Sequence, residues 1–317
     1  MNIMNNFKKL IPALFLGMIL LLAACGGGGN DEGSSGDNTD GNGESNGETS
    51  EEGTSGEKGE IKIGLNNWAE NVAVSNMWKV ILENKGYTVD LTQVEKGALY
   101  TALEGGDLDV GLEVWLPNTD KPFYEQYKDK LAWHDVWFEG TTLGLAVPTY
   151  VEDVNSMSDL KGKADMFGGK IVGIDAGASL MKLTKDALKE YELENYELQS
   201  SSGPVMTAEL GKAVEDEEPI LVTLWKPHWV FAEYDVKFLE DSKKVYGEKE
   251  DINWVSRKAF AEDQPQVTEV LNTWKMDDQS LGSLMNVIKE EGDPAAGAKK
   301  WVENHQDLVK EWTSAME

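Results

Sequence analysis

Ile61-Lys62-Ile63-Gly64-Leu65, followed through to Trp115-Leu116-Pro117, is the stretch whose reading decides the fold of this chain. The first five residues alternate branched apolar with polar or small positions and read as a strand. Val72 to Lys85 then sets Val72, Val74, Met77, Trp78, Ile81 and Leu82 at roughly helical spacing, with Gly86 as a stop. Thr88 to Leu91 reads as a second strand, Ala98 to Glu104 as a second helix ended by Gly105-Gly106, and Val110 to Trp115 as a third strand. The order βαβαβ predicts a largely parallel sheet with helices on its faces, because parallel neighbours need a crossover connection.

The pattern then recurs. Lys170 to Ile174 opens it, Ser179 to Tyr191 is its first helix, Glu197-Leu198 its second strand, Val205 to Val214 its second helix, and Pro219 to Trp225 its closing strand. Ile63 and Trp115 are 52 residues apart and Ile171 and Trp225 are 54 apart; each closing strand ends in Trp-Xaa-Pro. Two similar α/β lobes follow, each a mostly parallel sheet flanked by helices. Thr141 to Pro148 reads as a strand crossing from the first to the second, and Asp251 to Val255 as the return. The expected division is residues 60–142 and 249–317 for lobe I and 143–248 for lobe II. Two crossings make a hinge, and a hinge between lobes makes a cleft.

Before the lobes comes a different kind of sequence. A basic start with Lys8-Lys9 and an apolar run from Leu10 to Ala24 read as a signal peptide over 1–24, too short to span a hydrocarbon core that calls for about 20 residues. Leu22-Ala23-Ala24-Cys25 resembles a bacterial lipobox, which makes Cys25, the only cysteine of the chain, a lipidation site. Residues 25–59 then read as a flexible acidic tether rich in Gly and Ser. With one cysteine no internal disulfide forms, so stability rests on burial. The formal net charge is −28, of which residues 26–60 supply ten acids against Lys58 alone. Most of the excess therefore lies on the folded body, which makes nucleic acid an unsuitable partner and reads as solubility in saline or alkaline surroundings.

In open parallel sheets the ligand crevice lies at the carboxyl ends of the strands. Trp68 follows the first strand, Trp115 closes the third, and Trp225 closes its counterpart in the second lobe. An indole face attracts a cation by about 0.5 to 2 kcal/mol. Three rings therefore offer about 2 to 6 kcal/mol of the roughly 8 that micromolar binding needs, which suits a quaternary ammonium with no N–H to donate. The other reading of a tryptophan is core: Trp78, Trp274, Trp301 and Trp312 sit in helical patterns, and Trp133, Trp137, Trp229 and Trp254 fit either role.

Trp68-Ala69-Glu70, Trp115-Leu116-Pro117-Asn118-Thr119, Gly173-Ile174-Asp175-Ala176-Gly177-Ala178 and Trp225-Lys226-Pro227-His228-Trp229 together resemble the glycine betaine and choline class of substrate-binding proteins of ABC transporters. The resemblance, of the OpuAC-like kind, covers about 60 to 317. It implies a two-lobed periplasmic-binding-protein fold, type II-like, an aromatic cage at the three tryptophans, and a ligand carboxylate held by the backbone amides of Ser179 and Leu180. The last point agrees with helix physics, since free N–H groups at a helix start favour an anion; an ordinary N-cap by Ser179 is the alternative.

Many betaine-binding relatives carry a histidine where Asp120 stands. An ionised aspartate cannot donate to a carboxylate, so Asp120 points away, or another group replaces the histidine, or the ligand carries a hydroxyl there. In choline-binding relatives an acidic residue lies two positions after the first cage tryptophan, as Glu70 does here, although Glu also suits the first turn of a helix. His228 adjoins a cage residue and fits either a ligand contact or a buried structural role.

The implied function is the extracellular receptor of an ABC importer, with a permease and its ATPase as partners, lipid-anchored on the outer face of a Gram-positive membrane and monomeric. The ligand is glycine betaine or a related osmolyte; a choline- or carnitine-preferring receptor is the alternative, and a carbohydrate-binding lipoprotein the rival of another class. Three histidines and no metal-ligand spacing leave no catalytic residues, metal or cofactor to assign.

Overall fold

The computed structural model describes residues 58–317. The expected signal peptide, the lipidation site Cys25 and nearly all of the tether fall outside the described residues. From there the chain runs β1 (Glu60–Leu65), α1 (Ala69–Asn84), β2 (Thr88–Gln93), α2 (Lys96–Gly105), β3 (Val110–Leu116) and α3 (Lys121–Tyr127). The long strand β4 (Leu131–Pro148) follows, and then the second copy: β5 (Lys170–Val172), α4 (Ser179–Glu190), β6 (Glu197–Gln199), α5 (Gly203–Glu215) and β7 (Val222–Lys226). After the short α6 (Val230–Glu233) and β8 (Val236–Phe238) comes the return strand β9 (Glu250–Arg257). Five helices close the chain: α7 (Phe260–Asp263), α8 (Pro265–Thr273), α9 (Asp278–Glu291), α10 (Pro294–Asn304) and α11 (Gln306–Trp312).

The strand order β2-β1-β3-β9-β4-β7-β5-β6 reads almost the same from either end. Each end is a parallel triplet, β2-β1-β3 and β6-β5-β7, bounded by an antiparallel strand that comes from the other half of the chain. This is the two-lobed fold, and β4 is its seam. Leu131 to Thr141 of β4 pairs with β9, whereas Thr142 to Ala146 pairs with β7.

The seam is longer than the sequence reading gave, 18 residues rather than the eight from Thr141 to Pro148. Three register shifts interrupt its pairing with β9, between Trp133 and Thr141. Each shift turns the following side chains to the other face, so Trp133 to Glu139 lacks the clean alternation that marks a strand.

Trp78, Trp274 and Trp301 are fully buried, and Trp312 is nearly so, as their helical spacing predicts. They form one cluster under α1 and the C-terminal helices, with Trp78 5.5 Å edge-on from Trp274 and Trp301 6.3 Å from Trp312. Of the four tryptophans with either role, Trp137 and Trp254 also go to the core, Trp137 stacking on Trp274 at 4.4 Å. Trp133 packs against Tyr100 and Tyr124, and Trp229 is half-buried against Tyr234.

Candidate functional site

The three parallel-strand ends that carry Trp68, Trp115 and Trp225 converge on one small cavity with about 340 Å³ of empty space, into which Glu70, Asp120, Ser179 and Leu180 also face. Trp68 is the N-cap residue of α1, while Trp115 and Trp225 stand near the ends of β3 and β7. Both Trp-Xaa-Pro motifs carry a cis bond before the proline. All three indoles are buried, and none of the ring contacts among the described residues joins one of them to another. They line the cavity without stacking on one another.

Each indole N–H is already committed to a carboxylate. Trp68 Nε1 donates to Asp175 Oδ2 at 2.8 Å, Trp225 Nε1 to Glu70 Oε2 at 2.7 Å, and Trp115 Nε1 to Glu113. The rings are thereby fixed in orientation, and the acceptors place carboxyl oxygens at their N–H edges, which strengthens attraction for a cation. Two of these bonds join the first βαβαβ unit to the second. Ser179 Oγ, donating to Asp120 Oδ1 at 2.9 Å, makes a third such crossing. At the same junction Gly203 sits where an added Cβ would lie 2.9 Å from the Asn67 carbonyl oxygen, so the close approach of α5 to that loop depends on a missing side chain.

Beneath the cavity lies a group of buried charges. Lys96, 1% exposed at the start of α2, pairs with Asp120 Oδ2 at 2.8 Å and donates to the Glu113 carbonyl. Its ammonium also stands 5.3 Å from the centre of the Trp68 ring. Burial pushes the Glu70 carboxyl up to about 7, against the opposing hydrogen bond from Trp225. Burial, and then the charge of Glu70, raise the Glu113 carboxyl well above the usual range.

The unusual Asp120 has a definite place. Its carboxylate is 1% exposed and takes the Trp115 amide at 2.9 Å, the Lys96 ammonium and the Ser179 hydroxyl. It neither points away nor faces the cavity as a bare charge, because three donors, one of them a paired cation, offset it. Glu250 of β9 braces the adjoining loop, accepting the amides of Asn118 at 2.9 Å and Thr119 at 3.0 Å.

Ser179 does not cap its own helix. The N-cap is Ala178, without a side-chain bond, and Ser179 and Leu180 take the first two helical positions, whose N–H groups have no acceptor within the helix. Glu70 does sit in a first helical turn, but its carboxylate serves the cavity wall and Trp225 rather than the helix end. His228 is the one candidate not brought to this cavity. It packs edge-on against Trp225 at 4.8 Å between ring centres, accepts the Val230 amide at Nδ1 and faces a second cavity beside Trp229. Burial lowers it to about 3, which keeps the ring neutral.

Lys96, Glu113 and Asp175 were not among the residues read from the sequence. Glu113 carried a usable signal, as the one acid between apolar residues in a strand buried on both faces. Asp175 stood inside one of the quoted motifs without a role of its own, and Lys96 carried no signal, since a lysine at a helix start is an ordinary surface residue.

Residues 59–304 match the family described as the substrate binding domain of ABC-type glycine betaine transport systems, and the chain belongs to it. The glycine betaine/carnitine transport binding protein GbuC of Listeria monocytogenes is 43% identical over 149 residues, 46% of this chain and 50% of that protein. The chain thus spans about half the length of that curated relative. Two solved structures cover nearly all of the described lobes. The glycine/betaine/L-proline-binding protein ProX of Borrelia burgdorferi is 36% identical at a TM-score of 0.77, over 81% of this chain and 100% of its own. Lactococcal OpuAC, in its closed-liganded conformation with glycine betaine, is 30% identical at a TM-score of 0.75, over 80% of this chain and 99% of its own.

Proposed function

We propose that this protein is the receptor of an ABC importer and captures glycine betaine, or a related quaternary ammonium osmolyte, between Trp68, Trp115 and Trp225. The observation that carries the reading is the convergence of three indoles on one cavity, each with its N–H held by a carboxylate. Family membership and the likeness to the glycine betaine-bound lactococcal protein support it. In this reading the amides of Ser179 and Leu180 take the ligand carboxylate, Asp120 and Glu70 complete the wall, and no catalytic group is involved.

Lobe I comprises 60–142 with 249–317 and lobe II comprises 143–248; they shut on the ligand, and the closed monomer docks on a permease driven by a cytoplasmic ATPase. A ligand that bridges both lobes stabilises the shut state by its extra contacts there. Cys25 anchors the chain by its lipid on the outer face of a Gram-positive membrane, and about 34 tether residues give a reach of roughly 30 Å. No helix among the described residues is long and apolar enough to cross a membrane.

Glu70 in the wall favours a second reading, a choline-preferring receptor, because a buried carboxyl beside the cage suits a ligand with no carboxylate of its own. Tryptophan fluorescence with glycine betaine, choline, glycine and ethanolamine tests both. A response to the first two alone is expected, and equal responses to all four overturn the cage. Cys25→Ala should release the protein to the medium with ligand binding intact; retention at the membrane overturns the anchor.

A further inference from the structure

We propose that Glu70 and Glu113 share a single proton beneath the cage, that a quaternary ammonium cation expels it on binding, and that this exchange sets the preference between cationic and zwitterionic ligands. The inference rests on the ligand reading above and adds to it a regulated selectivity.

The geometry asks for the proton. Glu70 on α1 and Glu113 on β3 are both fully buried, and each spends one carboxyl oxygen on an indole N–H, that of Trp225 and that of Trp115. The remaining oxygens, Glu70 Oε1 and Glu113 Oε2, have no other donor. The two carboxyls act directly on each other's ionisation. Two ionised carboxylates so placed would each leave a buried acceptor unsatisfied and would repel. One proton between them removes both costs.

The surroundings supply no substitute. Lys96 on α2 is the cation that acts on both carboxyls, and it is already shared with Asp120 at the start of α3. Tyr100, also on α2, is held in its neutral form by burial and by the charges of Asp120 and Glu113. Glu250 on β9 is raised by its burial and is bound to Thr119, and His228, packed behind Trp225, is neutral. The second lobe presents Ser179 here, which is uncharged, and Asp175 is tied to Trp68. With one shared proton the four groups Glu70, Glu113, Lys96 and Asp120 carry one net negative charge; without it they carry two.

A trimethylammonium head seated against the cage lies beside Glu70, the member of the pair that faces the cavity. Its positive charge favours the ionised pair, so the proton passes to solvent. Ligand-bound protein therefore holds the proton less firmly than free protein. Affinity for a cation then rises with pH through the range in which the free pair ionises, by at most tenfold per pH unit for one proton. A betaine brings its own carboxylate to the Ser179 side, next to Asp120, and that charge opposes ionisation. It should expel less of the proton, so the ratio of choline to betaine affinity should climb with pH.

Isothermal calorimetry of the whole protein with choline chloride and with glycine betaine, at neutral pH in buffers of different ionisation heat, counts the proton directly. Net release with choline, smaller release with glycine betaine, and a rising choline affinity from mildly acidic to mildly alkaline pH are expected. Glu113→Gln places an amide donor against Glu70 and should abolish both the release and the pH slope. Binding of choline by the wild-type protein without proton release, or an unchanged slope in Glu113→Gln, overturns the shared proton. Should Glu113→Gln fail to fold, the wild-type proton count alone decides. No binding of either ligand at any pH overturns the ligand reading itself, and the shared-proton selectivity with it.

Discussion

The two halves of the cavity wall come from two copies of one βαβαβ pattern and are equipped differently. At the end of β3, Trp115 is preceded two residues earlier by Glu113, and the indole bonds within its own strand. At the end of β7, the residue two before Trp225 is Thr223, buried with its hydroxyl unpaired, and the indole reaches across to Glu70. Five residues after Trp115 stands Asp120, paired to Lys96; five after Trp225 stands Val230, fully buried in the core. The first lobe has concentrated the buried charge, while the second supplies a ring, a hydroxyl and helix-start amides. The shared βαβαβ pattern sets where the tryptophans stand, and a few neighbours make one lobe electrostatic and the other a cover that needs the first to complete its bonds.

The widest separation between the halves is expected from Lys96→Met. It leaves Asp120 and the Glu70 and Glu113 pair without their buried cation, and removing one partner of a buried ion pair costs about 3 to 5 kcal/mol. Urea unfolding should show a matching fall, and an unchanged midpoint would mean that the lobe I charges are solvated. Next in size, Trp115→Ala and Trp225→Ala should each weaken glycine betaine binding at least about tenfold, by loss of about 1.4 to 2 kcal/mol of cation attraction. Trp225→Ala should cost more, because it also strips Glu70 of its donor across the cleft; equal losses in titration would erase the asymmetry.

Asp175→Asn should be milder, since it weakens one hydrogen bond between the halves, a change of about 0.5 to 1.5 kcal/mol or roughly two- to twelvefold in affinity. Small-angle scattering should then show a larger open fraction without ligand. The smallest effect belongs to Thr223→Val, which removes a buried hydroxyl that has no partner and should change stability by no more than about 0.5 kcal/mol. A large loss there would reveal a polar role in the second lobe matching that of Glu113.

The sequence by itself determined the repeat, the three cage tryptophans and the helix start at Ser179, because these follow from short-range periodicity and from motifs at near-equal spacing. Glu70 and Asp120 were visible as residues, yet their roles were not. Asp120 reads as repelling a ligand carboxylate until Lys96, 24 positions before it, is known to sit 2.8 Å from it. The partner of the Trp225 indole is 155 positions away, and that of Trp68 is 107 away. Nothing local encodes such pairs. They exist because β4 and β9 bring the carboxyl ends of two sheets face to face, where exclusion of water turns ordinary surface residue types into a buried charge network. The placement of the rings was written in the chain; the charge behind them was decided by the fold.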